Sequence, residues 1–156
     1  MHLIDLVRHL ADPLEVGVLV TDAELGRPGP TILYANDAFA QMSGYEVRDV
    51  LGRTPRILQG AGTSREGVRQ VQRALRTEGR FVGRLQNYRM TGEPYLCELD
   101  IRPIQGLDGH TEAYIAFERE VVRRRGRPTE GGAGRYKAVG LQEAGIIPFL
   151  KTPMFG

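Results

Sequence analysis

The sequence predicts an α+β fold built on an antiparallel sheet, and three observations carry that prediction. Two short β-like runs open the body, several short helical segments follow, and three longer strands close it. Strands and helices are thus segregated, not alternating, which argues against a βαβ architecture. The connections between the last three strands, MTGE and QGLDGH, are turn-like, as a meander requires. A chain of 156 residues has room for one real core.

Each element follows from local pattern. In residues 1–15, Leu3, Leu6, Val7 and Leu10 share one helical face opposite Asp5 and Arg8, and Pro13 ends the segment. So short an amphipathic helix must dock on something to persist in water. GVLVTD (17–22) and TILYAN (31–36) read as a hairpin across a Gly/Pro-rich loop at 24–30. Asn36 and Asp37 suit the cap of a short helix holding Phe39 and Met42, closed by Gly44. A further turn, VRDVL, ends at Gly52. Pro55, Gly60 and Gly62 make 52–64 irregular. Thr63 and Glu66 have the spacing of a capping box for a helix at 64–78, with Val68, Val71 and Leu75 inward and Gly79 at its end. Strands are expected at 81–90, 94–104 and 112–122.

Strand alternation then sorts side chains by face. Tyr95, Cys97, Leu99 and Ile101 make an apolar, inward row, with Leu96, Glu98, Asp100 and Arg102 outward. The inward row of the first long strand runs from Phe81 and Leu85 into Asn87, and that of the last from Tyr114 and Ala116 into Glu118. A buried amide or carboxylate must be satisfied. Two solutions stay open: a ligand or water in a pocket, or internal partners, such as Arg56 for Glu118 and loop backbone for Asn87. On the opposite face Ile115, Phe117 and Val121, with Val82, Tyr88 and Leu96, are too apolar for open solvent, so the N-terminal helix, the tail or a second copy should cover them.

Charge divides the chain near residue 122. Residues 1–122 carry fourteen Lys/Arg against seventeen Asp/Glu; residues 123–156 carry seven against two and hold seven of the twenty glycines. The expected organisation is an N-terminal helix (1–15), a compact domain (16–122) and a basic Gly/Pro-rich extension (123–156). RRRGRPTEGGAGR reads as a linker. Beyond it Val139, Leu141, Ile146, Ile147, Phe149, Leu150 and Phe155 supply apolar surface that either folds back on the sheet or another chain, or belongs to a disordered end.

Composition also removes several functions. No apolar run reaches the roughly 18 residues of a membrane span. Asp5, Arg8 and His9 interrupt the opening stretch, unlike a secretory signal, so a cytoplasmic location is expected. A single cysteine excludes an internal disulfide and a cysteine-rich zinc site. Cys97 with His110 is the sole candidate nucleophile and base. Cys97 sits in an apolar row and His110 in a hairpin turn, so no enzyme is expected. Arg65, Arg69, Arg73, Arg76 and Arg80 flank the long helix, and Arg123, Arg124, Arg125 and Arg127 cluster after the last strand. Both are read as solvated, not as nucleic-acid contacts, because the body is net acidic.

Read in order, VTDAELGRPGPTILYANDAFAQMSGY, LGRTPRILQGAGTS, NYRMTGEPYLCELDIRPI and YIAFEREV resemble a PAS domain of the LOV-like branch, from about Gly17 to Val122. The most specific pieces are RILQG and NYR followed two residues later by Gly. The resemblance implies a five-stranded antiparallel sheet with short helices over one face, a pocket, and a sensory, dimerising module that passes its signal through terminal helices. LOV domains bind FMN and bond it to a cysteine in the motif Asn-Cys-Arg-Phe-Leu-Gln; here the stretch is Thr54, Pro55, Arg56, Ile57, Leu58, Gln59. Proline at the cysteine position removes adduct chemistry there. Arg56 and Gln59 match residues that contact the flavin phosphate and ribityl chain, and Asn87 the first of two asparagines at the ring edge. Cys97 replaces the second asparagine, and Glu118 replaces a glutamine near the ring. A second phosphate-binding arginine aligns with Gln72, with Arg69 and Arg73 nearby. Such cysteine-lacking domains resemble bacterial modules found beside histidine kinases or cyclic-dinucleotide enzymes. The implied partners are a second copy, through the outer sheet or the terminal segments, or a separate signalling protein; the implied cofactor is FMN. The alternative is a ligand-free interaction module with a filled interior.

Overall fold

The computed structural model describes residues 2–126 and 135–139. Its elements run α1 (Leu3–Ala11), β1 (Gly17–Asp22), β2 (Ile32–Ala35), α2 (Asp37–Ser43), α3 (Val47–Val50), a 3-10 turn (Pro55–Leu58), α4 (Arg65–Thr77), β3 (Phe81–Tyr88), β4 (Pro94–Gln105), β5 (Thr111–Arg123) and β6 (Tyr136–Ala138). The antiparallel sheet has the order β2-β1-β5-β4-β3. Both expected substructures, the β1–β2 hairpin and the β3–β4–β5 meander, are present. They join where β1 pairs β5, Gly17 opposite Glu118 and Asp22 opposite Ala113. A short sixth strand, β6, pairs Val121 through Arg123 of β5 beyond the start of β1.

The sheet separates two apolar layers. The inner layer, under α2, α3 and α4, contains Leu19, Ile32, Phe39, Val50, Leu85, Cys97 and Leu99. The outer one contains Val7 and Ala11 of α1 against Val18, Val20, Ala113 and Phe117. The N-terminal helix therefore covers the apolar half of the outer face. Its docking stripe differs from the expected one: Leu3, Ile4, Val7 and Ala11 face the sheet, while Leu6 and Leu10 are 45% and 62% exposed. Both stripes fit a helical face; the sheet selects the one centred on Val7.

Asn36 does more than cap α2. Its Oδ1 accepts from the backbone N–H of Phe39 (3.0 Å) and of Val18 (2.9 Å), and its Nδ2 donates to the carbonyls of Ala11 (3.0 Å) and Val16 (2.9 Å). One buried amide thus ties the end of α1, the start of β1 and α2 together. Gly44 ends α2 at φ +76°, where a side chain would be strained.

The cap of α4 is one residue later than the capping box implied. Ser64 Oγ accepts from Gly67 N–H (3.0 Å), while Thr63 accepts from Gly60 N–H (2.9 Å) and donates to the Gln86 carbonyl (2.7 Å). Thr63 is recruited to anchor the loop on β3, which leaves the adjacent serine to cap the helix. Gly67 permits close approach: a Cβ there would stand 2.9 Å from a Leu85 methyl. Of the extension, residues 123–126 and 135–139 are described. Leu141, Ile146, Ile147, Phe149, Leu150 and Phe155 lie outside the described residues.

Candidate functional site

A cavity lies between α4, the 3-10 turn and the inner face of the sheet, with a void of about 150 Å³. Its walls are apolar side chains, among them Leu19, Leu85, Leu99 and Ile101, with Val68, Val71 and Leu75 of α4 as a lid. The 24–30 loop contributes Leu25, Gly29 and Pro30 and is held to α4 where Arg76 donates to the Leu25 carbonyl (3.3 Å).

Thr21 and Tyr114 of the lining carry hydroxyls, and five amide or charged side chains interrupt it in two sets. Asn87 and Glu118, both buried, come from β3 and β5; Arg56 and Gln59, both exposed, and half-buried Gln72 come from the 3-10 turn and α4. The cavity therefore has a polar pair on its sheet floor and a second polar set towards solvent. Four of the seven candidate residues named from sequence meet here: Arg56, Gln59, Asn87 and Glu118. Cys97, Arg69 and Arg73 are not among the lining residues. Cys97 is fully buried, its Sγ donating weakly to the Glu98 carbonyl (3.5 Å), and burial pushes its thiol up. Arg69 and Arg73 are exposed, and Arg69 pairs with Glu66 at 3.5 Å. Helical periodicity explains this: of residues 68–75, the inward positions are Val68, Val71, Gln72 and Leu75.

Glu118 is the chemically distinctive member. It is 4% exposed, and its Oε2 is buried with no hydrogen-bond partner, so the internal pairing with Arg56 does not satisfy that oxygen. Burial raises its pKa from 4.5 to about 8, which favours the neutral acid at neutral pH. Tyr114, also in the lining, is likewise pushed up by burial.

The outer face holds two more buried carboxylates, both in the outward row of β4. Asp100 lies between Arg80 (3.2 Å) and Arg102 (2.7 Å), and Glu98 between Arg84 (3.2 Å) and Arg119 (2.7 Å). Arg80 thus leaves the solvated helix flank assigned from sequence and joins the sheet. The signal for this lattice is the pairing register, which sets Arg84 and Arg119 on either side of Glu98. His110 pairs with Asp108 (3.1 Å) in the exposed β4–β5 turn, while Cys97 lies in the sheet, opposite Leu85 and Glu120. Among the described residues, no cluster of His, Cys, Asp or Glu is arranged to hold a metal, and no helix is long and apolar enough to cross a membrane.

Comparison with known proteins agrees with this architecture. The family model described as "PAS domain" matches residues 15–122. Phototropin-2 of Oryza sativa subsp. japonica is 36% identical over 110 residues, 70% of this chain and 12% of that protein. A blue-light-activated histidine kinase of Brucella anthropi is 31% identical over 113 residues, 72% of this chain and 23% of that protein. The matched stretch thus spans less than a quarter of either relative. The LOV domain from the Erythrobacter litoralis EL346 blue-light activated histidine kinase superposes with a TM-score of 0.63 at 27% identity, over 69% of this chain and 96% of that one.

Proposed function

This chain belongs to the PAS domain family, and on that premise we propose that it is a signal-transduction module that responds to a small molecule held in the α4 cavity, with FMN as the guest. The observation that carries this reading is the buried, unpartnered carboxyl oxygen of Glu118 beside an apolar void. Such a group costs on the order of 1–3 kcal/mol in an empty fold, which a guest's hydrogen bond would offset.

The polar groups suit FMN. Asn87 and Glu118 would meet the edge of a flat ring, Gln59 and Gln72 a polyol chain, and Arg56 at the exposed mouth a phosphate. The void of about 150 Å³ is smaller than the roughly 300–1,000 Å³ of sites that enclose drug-sized ligands, so Arg56, Gln59 and Gln72 must move outward to admit the whole molecule. When bound, FMN supplies visible absorption and a reversible redox couple. The protein's own residues orient the ring, exclude water from it and hold a proton at the Glu118 carboxyl. No cysteine adduct forms: Pro55 occupies the motif position, and Cys97, the one cysteine, is absent from the lining. Output passes to a second copy or a partner signalling protein through the outer face and the terminal segments, where Leu6 and Leu10 of α1 are exposed.

The small void favours one other reading, a ligand-free docking module. A single experiment separates them: the absorption spectrum of the undenatured, purified chain, mass analysis of what it releases on denaturation, and titration with FMN. Released flavin, or saturable FMN uptake with quenched fluorescence, is expected. A colourless protein that releases nothing and ignores FMN overturns the sensory-pocket reading in favour of docking.

A further inference from the structure

We propose that a second copy of this chain docks through two neighbouring patches of opposite charge: the cationic β5–β6 end of each copy meets an acidic groove between the α1–β1 link, α2 and β5 of the other. The contact lies away from the α4 cavity and holds whether or not that cavity takes a guest.

The groove holds about 540 Å³. Asp12, Glu15, Asp37 and Glu120 carry its charge, and Leu14, Met42 and Val139 supply apolar wall. Among its described lining residues none is basic. Glu120 already has a cation, Arg89 at 2.5 Å, and Asp12 accepts from the Tyr34 hydroxyl (2.5 Å). Asp12 and Asp37 have no ion pair among the described residues. The complementary patch begins beside this groove. Val139 N–H donates to the Glu120 carbonyl (3.0 Å), so the groove wall starts where β6 ends. Further along the same pair of strands, Lys137 stands opposite Val122, and Arg124 N–H donates to the Arg135 carbonyl (2.6 Å). Strand alternation puts Val122 and Lys137 on the same side as Glu120. Arg123, Arg125, Arg135 and Lys137 are exposed, and no carboxylate pairs with them among the described residues. The arginines of the outer lattice, in contrast, are committed to Glu98 and Asp100. From Glu120 to Arg123 the strand runs roughly 10 Å, so anionic and cationic patches are neighbours on one surface. A two-fold axis between two such patches satisfies both at once, each cationic end lying on the other copy's groove. Val122 and Val139, 42% and 37% exposed, lie between the patches and supply the apolar contact that this axis buries. Exposed charges make the contact reversible and sensitive to salt.

Sedimentation of the full chain and two double variants tests this. The wild type should dimerise at low salt, with a dissociation constant that rises at least about tenfold between about 50 mM and about 500 mM salt. Glu15→Lys with Asp37→Lys reverses the groove, and Arg135→Glu with Lys137→Glu reverses the strand end. Each double variant alone should dimerise at least about tenfold more weakly, because the two-fold axis counts every change twice. An equal mixture of the two should form a heterodimer within about threefold of wild-type strength, since both reciprocal contacts regain opposite charges. Thermal melts check that each variant folds, and recovery on mixing requires that both do. A dimer indifferent to salt and to both reversals sits on another surface and overturns the proposal. So does a wild type that stays monomeric at low salt, as it would if each cationic end lay in its own groove. Folded variants that remain monomeric when mixed overturn it as well. None of these outcomes touches the FMN titration, so the two readings fail separately.

Discussion

Two sets of buried carboxylates on opposite faces of one sheet are treated in opposite ways. On the outer face, Glu98 is 2% and Asp100 0% exposed, and each is held by two arginines. On the inner face, Glu118 is as deeply buried, yet one of its oxygens has no partner. A buried charge is stable only when paired and hydrogen-bonded. The outer pair is therefore held by arginines as part of the scaffold, and the inner acid gives up its charge. Equal burial with unequal partnering distinguishes groups that hold the sheet from a group kept available for something else.

The largest loss of stability should come from removing an outer carboxylate. Asp100→Ala leaves Arg80 and Arg102 crowded on one face without their anion, and should cost about 3 kcal/mol in chemical denaturation. Both arginines retain some exposure, so the loss falls at the lower end for broken buried pairs. A loss below about 1 kcal/mol would make the outer lattice no more than a solvated ion pair and erase the contrast between the faces.

The inner acid should respond with the opposite sign. Glu118→Gln removes a group that must discard its charge to fold, so the variant should be more stable than wild type at pH 8. The direction with pH follows from the pKa rising from 4.5 to about 8 on folding. The folded state holds the proton more tightly, so the group's favourable contribution is complete below 4.5 and is lost as pH rises towards 8. Across that window the wild type should lose up to about 1.4 kcal/mol per pH unit relative to the variant. Melts of both proteins at pH 5, 6.5 and 8 measure the difference; a gap that does not widen with pH places a counter-charge at Glu118 and removes its distinction from Glu98.

The inner face was more legible in the sequence than the outer. Period-two alternation alone puts Asn87 and Glu118 among inward apolar residues, and both line the cavity. The same alternation sends Glu98 and Asp100 outward, which is correct, but outward is not exposed. Their burial comes from arginines on other strands, and a chain's pattern does not show which strands will be neighbours. Arg84 and Arg119 sit opposite Glu98 only once the register is known. The α1 stripe failed for a related reason: Leu6 and Leu10 fit a helical face as well as Val7 and Ala11 do, and only the shape of the sheet chooses. Arg69 and Arg73 were named for nearness to an aligned position, whereas the helix turns Gln72 inward.

The smallest effect concerns the outer lattice where the C-terminal extension meets it. The Nη2 of Arg84 is buried without a hydrogen-bond partner, and the guanidinium carbon lies 4.0 Å from the centre of the Tyr136 ring. The ring face takes the place of an acceptor for the part of Arg84 that Glu98 does not use. β6 is only three residues long, so this contact should supply a sizeable share of what holds it on β5. Tyr136→Leu keeps apolar bulk and removes the ring; it should cost about 0.5–1 kcal/mol. Tyr136→Phe keeps the ring face and should change stability by less than half of that. Hydrogen exchange at Ala138 and Val139, whose strand would loosen first, gives a local reading independent of the global melt. If the leucine variant protects these amides as well as wild type, the lattice ends at Glu98, and the extension is held by its backbone pairing alone.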